Sequence, residues 1–122
     1  MFTIESQGIA LASFQPVKLA EFYRSIFGLD MREKKMGTST HYIGRLSNLN
    51  LIIVPGEEAG LEPGAKGTHL IEVKIADFDR FITHARSCGL SDISPMEMDG
   101  VKQAFFSDPD GNPWMVFNKE SK

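Results

Sequence analysis

The candidates for chemistry in this sequence are the carboxylate of Glu72, the ammonium group of Lys74, the imidazoles of the three histidines and the single thiol. Glu72 and Lys74 are separated by one residue, so both point to the same side of a predicted strand. If Glu72 lies in a deep pocket, it is the candidate for a general base or for the partner of a cation, because burial raises the pKa of a carboxyl group towards neutrality. Alternatively, Glu72 and Lys74 pair with each other or lie on a solvated surface.

The histidines and the cysteine give weaker signals. His41 and Tyr42 begin a predicted strand, where we expect exposed side chains. His84 lies away from the apolar stripe of a predicted helix and is expected on the surface. Cys88, at the end of that helix, is expected in the core rather than as a nucleophile, because no histidine of suitable spacing accompanies it.

Two acidic residues resemble catalytic carboxylates but belong to a turn, Asp-Pro-Asp-Gly-Asn. Asp108 and Asp110 can accept hydrogen bonds from nearby backbone amides. Pro109 fixes its own φ angle, and Gly111 can adopt a positive φ. The spacing therefore predicts a structural role for both carboxylates.

Composition and motifs exclude several classes of protein. The chain has 122 residues, 42% of them hydrophobic, and a net charge of −3. This length fits one domain with a buried core. Because no cluster of Lys and Arg offsets the net negative charge, nucleic acid is not an expected partner. The sequence has no nucleophile elbow, phosphate-binding loop or dinucleotide fingerprint.

The same features bear on localisation. No apolar stretch is long enough to span a membrane, and the N-terminal residues lack the pattern of a secretory signal. The single cysteine, Cys88, cannot form an intrachain disulfide, which favours a reducing compartment. We therefore expect a cytoplasmic protein without a membrane partner.

Two amphipathic helices are predicted. The first begins at Pro16 and ends before Gly28. The second begins at Asp77 or Asp79 and ends at Gly89. Their apolar stripes contain Leu19, Phe22, Tyr23, Ile26 and Phe27 in the first helix, and Phe78, Phe81, Ile82 and Ala85 in the second.

Strands are predicted around both helices, and each half of the chain has the order strand, helix, three strands. The predicted strands are residues 8–13, 31–35, 40–46 and 49–54, then 68–75, 93–98, 101–107 and 113–118. Aligning Ile9 with Ile71 and Phe22 with Phe81 indicates an internal repeat with small insertions. We therefore expect one domain, residues 1–122, with module one at 1–54, a linker at 55–67 and module two at 68–122.

The segments FYRSIFGLDM, from Phe22 to Met31, and FFSDPDGNPWMVF, from Phe105 to Phe117, resemble the vicinal oxygen chelate superfamily. This group contains glyoxalases, bleomycin-resistance proteins and extradiol dioxygenases. The resemblance covers nearly the whole chain. It implies an α+β fold of two βαβββ modules that form a curved, cup-shaped mixed sheet, usually in a homodimer with a ligand inside the cup.

Enzymes of this superfamily commonly hold a metal with one side chain from each of four strands. Carried over by position, these four places fall on Gly8, Ile52, Leu70 and Met115, none of which suits a hard metal ion. Gln7 and His69 lie one residue away and point to the opposite face unless a bulge intervenes. We therefore expect neither a metal nor another cofactor.

By the same alternation, an apolar inner wall is expected, with Ala10 and Ala12 also facing inward and Trp114 and Val116 packed under a helix. The candidate ligand-binding residues are Asn50, Ile52, Leu70, Glu72, Lys74, Met115 and Phe117. Such a wall is typical of a small-molecule pocket. Alternatively, Met115, Ile52 and Leu70 fill a closed interior or a dimer interface.

Three functions follow from these features. The first is a metal-independent binder of a small apolar or aromatic molecule, for which the acidic net charge would suit a cationic ligand. The second is a lyase, isomerase or dioxygenase of the glyoxalase/dioxygenase type, with displaced ligands such as Gln7 and His69 or with Glu72 as base. The third is a structural or partner-binding role. The missing metal ligands favour the first.

Overall fold

The computed structural model describes residue 3, residues 7–58 and residues 70–119. The chain forms two compact units, Met1–Ala65 and Lys66–Lys122. Each unit contains one strand, one helix and three further strands, so the α+β class and the two βαβββ modules are confirmed. Most of the linker predicted at 55–67 lies outside the described residues.

The first unit consists of β1 (Gly8–Ser13), α1 (Pro16–Phe27), β2 (Arg32–Met36), β3 (Ser39–Leu46) and β4 (Leu49–Pro55). The second consists of β5 (Ile71–Lys74), α2 (Phe78–Ser87), β6 (Ser94–Met98), β7 (Val101–Ser107) and β8 (Pro113–Lys119). The sheet orders are β1-β4-β3-β2 and β5-β8-β7-β6. The strand pairs β1–β4 and β5–β8 are parallel. The remaining pairs, β2–β3, β3–β4, β6–β7 and β7–β8, are antiparallel.

The strand predictions are accurate to within one residue for every strand except β5. That strand was predicted from Thr68, but Thr68 lies outside the described residues, and the described strand begins at Ile71. The other shifts are small, as for β2, which begins at Arg32 rather than Met31. Met31 is instead buried, with 2% exposure.

Helix α1 follows its local signals. Pro16 occupies the first turn, where its missing N–H costs nothing, and Gly28 ends the helix with a φ of +66°. The buried residues of α1 are Leu19, Ala20, Tyr23 and Ile26. These positions recur every three or four residues and define the face that packs on the sheet.

Helix α2 departs from its prediction at the C-terminal end. It ends at Ser87, and Cys88, rather than Gly89, occupies the C-cap. Asp77 occupies the N-cap position without a capping hydrogen bond from its side chain. The predicted stripe of Phe78, Phe81, Ile82 and Ala85 is buried.

Each helix covers one face of the sheet in its own unit. Leu51 and Ile53 of β4 are fully buried in the first unit, and Trp114 and Val116 of β8 are fully buried in the second. Phe106 stacks on Trp114 at 6.3 Å between ring centroids and contacts Phe81 of α2 at 6.4 Å. Trp114 and Val116 thus occupy the side predicted by alternation.

We call the face that the helix of the same unit does not cover the open face of each sheet. Because side chains alternate along a strand, the neighbours of these core residues lie on the open face. Ile52 of β4 and Met115 of β8 hold matching places in the two units. Ile52 pairs with Ala10 and Ile43, and Met115 pairs with Glu72 and Phe105.

Tyr42 corrects a prediction. We expected it to be exposed at a strand end, but it is 5% exposed and lies on the covered face beside Ile53. The guanidinium carbon of Arg24 lies 5.9 Å from the centroid of its ring. Alternation separates Tyr42 from His41, because neighbours on a strand point to opposite faces.

Candidate functional site

The open face of the second sheet holds four of the predicted ligand-binding residues in register. Met115 lies between Glu72 and Phe105, and the next row on that face places Phe117 between Lys74 and Gln103. On the outer strand, Ser94 pairs with Phe105, and Met96 pairs with Gln103. The pairing therefore builds two adjacent rows that run across all four strands.

Most of this face is apolar. Met115 and Phe117 are partly buried, whereas Phe105 is 40%, Met96 48% and Met98 61% exposed. Leu70, just before β5, is 49% exposed. Unbranched methionines adapt to irregular shapes, so this surface could accommodate an apolar or aromatic molecule. Phe105, Met96 and Met98 were not among the predicted site residues, although the alternation of β6 and β7 could have identified them.

Glu72 and Lys74 are the two charged residues that β5 places on the open face of the second sheet. Both are exposed, and among the residues that the structure describes no ion pair joins them. Glu72 directly neighbours Met115. A ligand on Met115 would therefore lie within reach of a carboxylate that can accept a hydrogen bond or a proton.

The open face of the first sheet contains the other two predicted ligand-binding residues. Ile52 lies between Ala10 and Ile43, and Asn50 lies between Gly8 and Arg45. Nη1 of Arg45 donates a hydrogen bond to Oδ1 of Asn50 at 3.3 Å. Sequence reasoning missed Arg45 and Ile43, because their role depends on which residues of β4 lie opposite them.

The four positions at which the resemblance implies metal ligands have side chains that do not suit a hard metal ion. In the first unit Gly8 and Ile52 are neighbours: a Cβ atom on Gly8 would lie 3.6 Å from Cδ1 of Ile52. Neither residue has a nitrogen or oxygen donor in its side chain. In the second unit, Leu70 has no donor and Met115 offers only a thioether, which is too soft for such an ion.

Gln7 could act as a displaced metal ligand only if a bulge in β1 turned its side chain to the open face. Strand β1 pairs with β4 residue by residue from Gly8 to Ser13, with no bulge that would turn Gln7 to the open face. The backbone oxygen of Gln7 accepts a hydrogen bond from the backbone N–H of Asn50 at 3.4 Å. His69 lies outside the described residues. Within residues 7–58 and 70–119, no three His, Cys, Asp or Glu side chains are grouped as a metal site would require.

His41 takes part in a small polar cluster with Ser39 and Glu58. Its Nε2 lies 3.3 Å from Oε1 of Glu58 and 3.4 Å from Oγ of Ser39. Hydrogen bonding from Ser39, together with the hydrogen bond and positive charge of His41, lowers the pKa of Glu58 below its ordinary value of 4.5. The cluster connects β3 to the turn that follows β4.

The predicted core position of Cys88 is wrong, because its side chain is exposed. The sulfur lies 3.6 Å from Nε2 of His84, one helical turn earlier. His84 is exposed, in agreement with its predicted surface position. Sequence reasoning overlooked that residues four apart share one side of a helix.

Asp108 has the structural role that its turn predicts. Its side chain is 5% exposed, and Oδ1 accepts hydrogen bonds from the backbone N–H groups of Asp110 at 3.0 Å and Asn112 at 2.9 Å. Oδ2 accepts a third hydrogen bond, from Nδ2 of Asn112 at 2.8 Å. Gly111 has a φ of +82°. The turn thus directs the chain from β7 into β8, which carries Met115.

Solved structures share this fold at low sequence identity. A lactoylglutathione lyase from Agrobacterium tumefaciens is 20% identical, with a TM-score of 0.73 over 92% of this chain and 91% of the other. TnmS3, an antibiotic binding protein from Streptomyces sp. CB03234, is 20% identical, with a TM-score of 0.76 over 99% of both chains. The fosfomycin resistance protein FosX from Listeria monocytogenes, in complex with Mn(II), is 16% identical, with a TM-score of 0.75 over 97% of this chain and 95% of the other.

No curated protein matches this chain by sequence. Among the described helices, none is both long and apolar enough to cross a membrane. The model of the Glyoxalase/Bleomycin resistance protein/Dioxygenase superfamily matches residues 8–116, which include every described strand of both units up to the middle of β8. This chain belongs to that superfamily.

Proposed function

We propose that this protein binds a small apolar or aromatic molecule without the help of a metal. One observation carries the proposal: apolar side chains of three strands, β6, β7 and β8, lie together on the open face of the second sheet, and Leu70 precedes β5 at its edge. These residues are Leu70, Met96, Met98, Phe105, Met115 and Phe117. Such concentrated apolar surface marks a binding site more often than a solvated face.

Two further observations support the proposal. The four positions that carry metal ligands in related enzymes have no hard donor in this chain. A structural neighbour with the same fold, TnmS3, is an antibiotic binding protein. In our proposal the candidate ligand-binding residues are Asn50 and Ile52 in the first sheet, and Leu70, Glu72, Lys74, Met115 and Phe117 in the second unit; the proposed module boundaries are 1–54 and 68–122.

A thermal-shift screen of uncharged aromatic compounds tests the binding function. A compound that binds the folded state raises the melting temperature by mass action. We expect selective stabilisation by compounds with a flat apolar body, with saturable binding confirmed by calorimetry. If no compound of this class stabilises the protein or binds in calorimetry, the proposed function is wrong.

Elemental analysis of the purified protein tests the metal-independent part separately. We expect less than one equivalent of any divalent metal per chain, and unchanged ligand affinity after treatment with a chelator. One tightly bound transition-metal ion per chain, whose removal abolishes binding, would contradict this part of the proposal while leaving ligand binding intact.

An enzyme of the glyoxalase or dioxygenase type is the second candidate, and the position of Glu72 beside Met115 is the observation in its favour. Replacing Glu72 with Gln keeps the shape of the side chain but removes the base. If binding is the function, as we propose, neither the wild type nor Glu72→Gln converts a bound compound. A compound that the wild type converts and Glu72→Gln does not would establish the enzyme instead.

We also propose that the protein is a homodimer in the cytoplasm, with no nucleic-acid or membrane partner. The superfamily resemblance supports the dimer, and the single cysteine is suited to a reducing compartment. Light scattering that gives the mass of one chain over a wide concentration range would contradict the dimer.

A further inference from the structure

The open face of the first sheet is positively charged, although the whole chain has a net charge of −3. The pairing of β1 to β4 places Arg32, Lys34, His41 and Arg45 on this face. Among the residues of these four strands, no Asp or Glu lies on the same face. Glu33, the acidic residue of β2, points to the opposite side because it pairs with Tyr42.

Two of these groups have acidic partners outside the strands. Nε of Arg32 lies 2.8 Å from Oδ2 of Asp30, and His41 contacts Glu58. Within the described part of the chain, neither Lys34 nor Arg45 forms an ion pair. The unneutralised positive charge of this face therefore resides on Lys34 and Arg45.

Arg45 is the better placed of the two to hold a ligand. It lies on the central strand β3, whereas Lys34 lies on the edge strand β2. Arg45 is exposed, and its Nη1 donates one hydrogen bond, to Oδ1 of Asn50 on the adjacent strand at 3.3 Å. A guanidinium group has five N–H donors in a planar arrangement, so most of them stay available for a carboxylate.

Apolar side chains adjoin this cation. Ile43 lies two residues before Arg45 on the same side of β3, and Ile52 lies directly opposite Ile43. Ala10 completes the row on β1. Gly8 pairs with Asn50 in the row of Arg45 and places no side chain on the open face there. The three apolar residues of the neighbouring row thus adjoin Arg45, while Arg32, which is ion-paired with Asp30, ends that row on β2.

We propose that Arg45 binds the carboxylate of a small organic acid whose apolar or aromatic body lies on Ile43, Ile52 and Ala10. This inference rests on the proposed binding function, in which Asn50 and Ile52 contact the ligand, and it specifies the class of ligand. It is the reverse of the cationic ligand that the net charge predicts. The local charges, rather than the sum over the chain, set the potential at a binding face.

The test compares three naphthalene probes of nearly equal size: naphthaleneacetic acid, its uncharged amide, and naphthylethylamine, which is a cation at neutral pH. Calorimetry measures their affinities, and amide chemical shifts identify the residues that each probe contacts. We expect the acid to bind roughly fivefold more tightly than the amide, as one exposed charge-assisted contact allows. The cation is expected to bind most weakly.

Variants assign the preference to Arg45. Arg45→Met should remove the preference for the acid over the amide, and Arg45→Lys should retain part of it, because the charge stays while the planar donor group is lost. Lys35→Met is the matched control. Lys35 lies on neighbouring β2 but on the covered side, with Nζ 2.7 Å from Oγ1 of Thr40, so its loss changes the net charge equally without touching the open face.

The outcomes separate this inference from the function on which it rests. If the amide binds as tightly as the acid, or the cation binds best, the carboxylate inference is wrong while binding of apolar molecules stands. If Lys35→Met lowers the preference as much as Arg45→Met, the preference comes from overall charge and the inference is also wrong. If none of the three probes binds, both the carboxylate inference and the proposed binding function are wrong for naphthalene compounds.

Discussion

Met115 lies directly between Glu72 of β5 and Phe105 of β7 on the open face of the second sheet. In enzymes of the superfamily the corresponding position commonly holds a carboxylate ligand to a metal. Here a thioether stands at that position, between the carboxylate of Glu72 and the aromatic ring of Phe105. Our proposal makes this position part of a binding surface, and the substitution of Met115 tests it.

The substitution Met115→Lys tests the binding surface. We expect it to weaken the binding of an uncharged apolar dye by about tenfold or more, because a charged group must then be covered by the ligand. The far-UV circular dichroism should stay unchanged, since Met115 is only partly buried. Fluorescence titration with Nile red measures the affinity.

Two variants serve as controls for Met115→Lys. Met115→Leu keeps an apolar side chain of similar volume and should retain most of the affinity. Thr83→Lys adds the same charge on the exposed side of α2 and should leave dye binding unchanged. If Met115→Lys binds the dye as tightly as wild type does, Met115 is not part of the site.

Replacing Trp114 tests the core under the second helix. Its side chain is fully buried and stacks on Phe106, so Trp114→Ala should lower the free energy of unfolding by about 3–5 kcal/mol. Trp114→Phe keeps an aromatic ring and should cost less. Because Trp114 is the single tryptophan, urea unfolding must be followed by circular dichroism. If Trp114→Ala lowers the free energy of unfolding by less than about 1 kcal/mol, the surrounding side chains repack into the cavity and the prediction is wrong.

Asp108 should contribute to stability rather than to chemistry. Asp108→Ala removes the acceptor of three hydrogen bonds in a buried turn and should cost about 2 kcal/mol. Asp92→Ala, at an exposed position, should change stability by less than about 0.5 kcal/mol. Equal effects of the two substitutions in urea unfolding would contradict the role assigned to Asp108.

The cluster of Glu58 with His41 and Ser39 makes stability depend on pH in a defined direction. The pKa of Glu58 is lower in the folded protein than in the unfolded chain, so the folded state favours the ionised form. This contribution is present above the unfolded-state pKa and is lost as the pH falls through the lower folded-state value.

The substitution Glu58→Gln should therefore lower the melting temperature at neutral pH, and the difference from wild type should disappear in acid. Glu57→Gln is a suitable control, because Glu57 is the exposed neighbour of Glu58 in the same turn. Thermal unfolding measured across the acidic range gives the comparison. A difference that grows as the pH falls would show that the assigned direction of the pKa shift is wrong.

Local signals predicted the elements of this fold well. Pro16 and Gly28 mark the two ends of α1 because they act on the backbone at their own positions. Alternation of apolar residues in β8 placed Trp114 in the core and Met115 on the other face before any partner strand was known. These signals need only neighbours in the chain.

Errors arose where a residue's surroundings come from another strand or helix, or from the adjacent turn of the same helix. Tyr42 begins a strand, yet it is buried because β4 and Arg24 of α1 lie against it. Cys88 ends an amphipathic helix, yet it is exposed next to His84. Arg45 was not among the predicted site residues, because its significance depends on the strand register that places Asn50 directly opposite it on β4.

The sequence by itself determined the order of the elements, the resemblance to the superfamily and the residue types at the four positions where that resemblance implies metal ligands. These are properties of residue types and of their spacing along the chain. Only the tertiary structure decided which charges share a face, because strand register brings together residues far apart in sequence. For that reason a chain with a net negative charge presents Lys34 and Arg45, and no carboxylate of the same strands, on the open face of its first sheet.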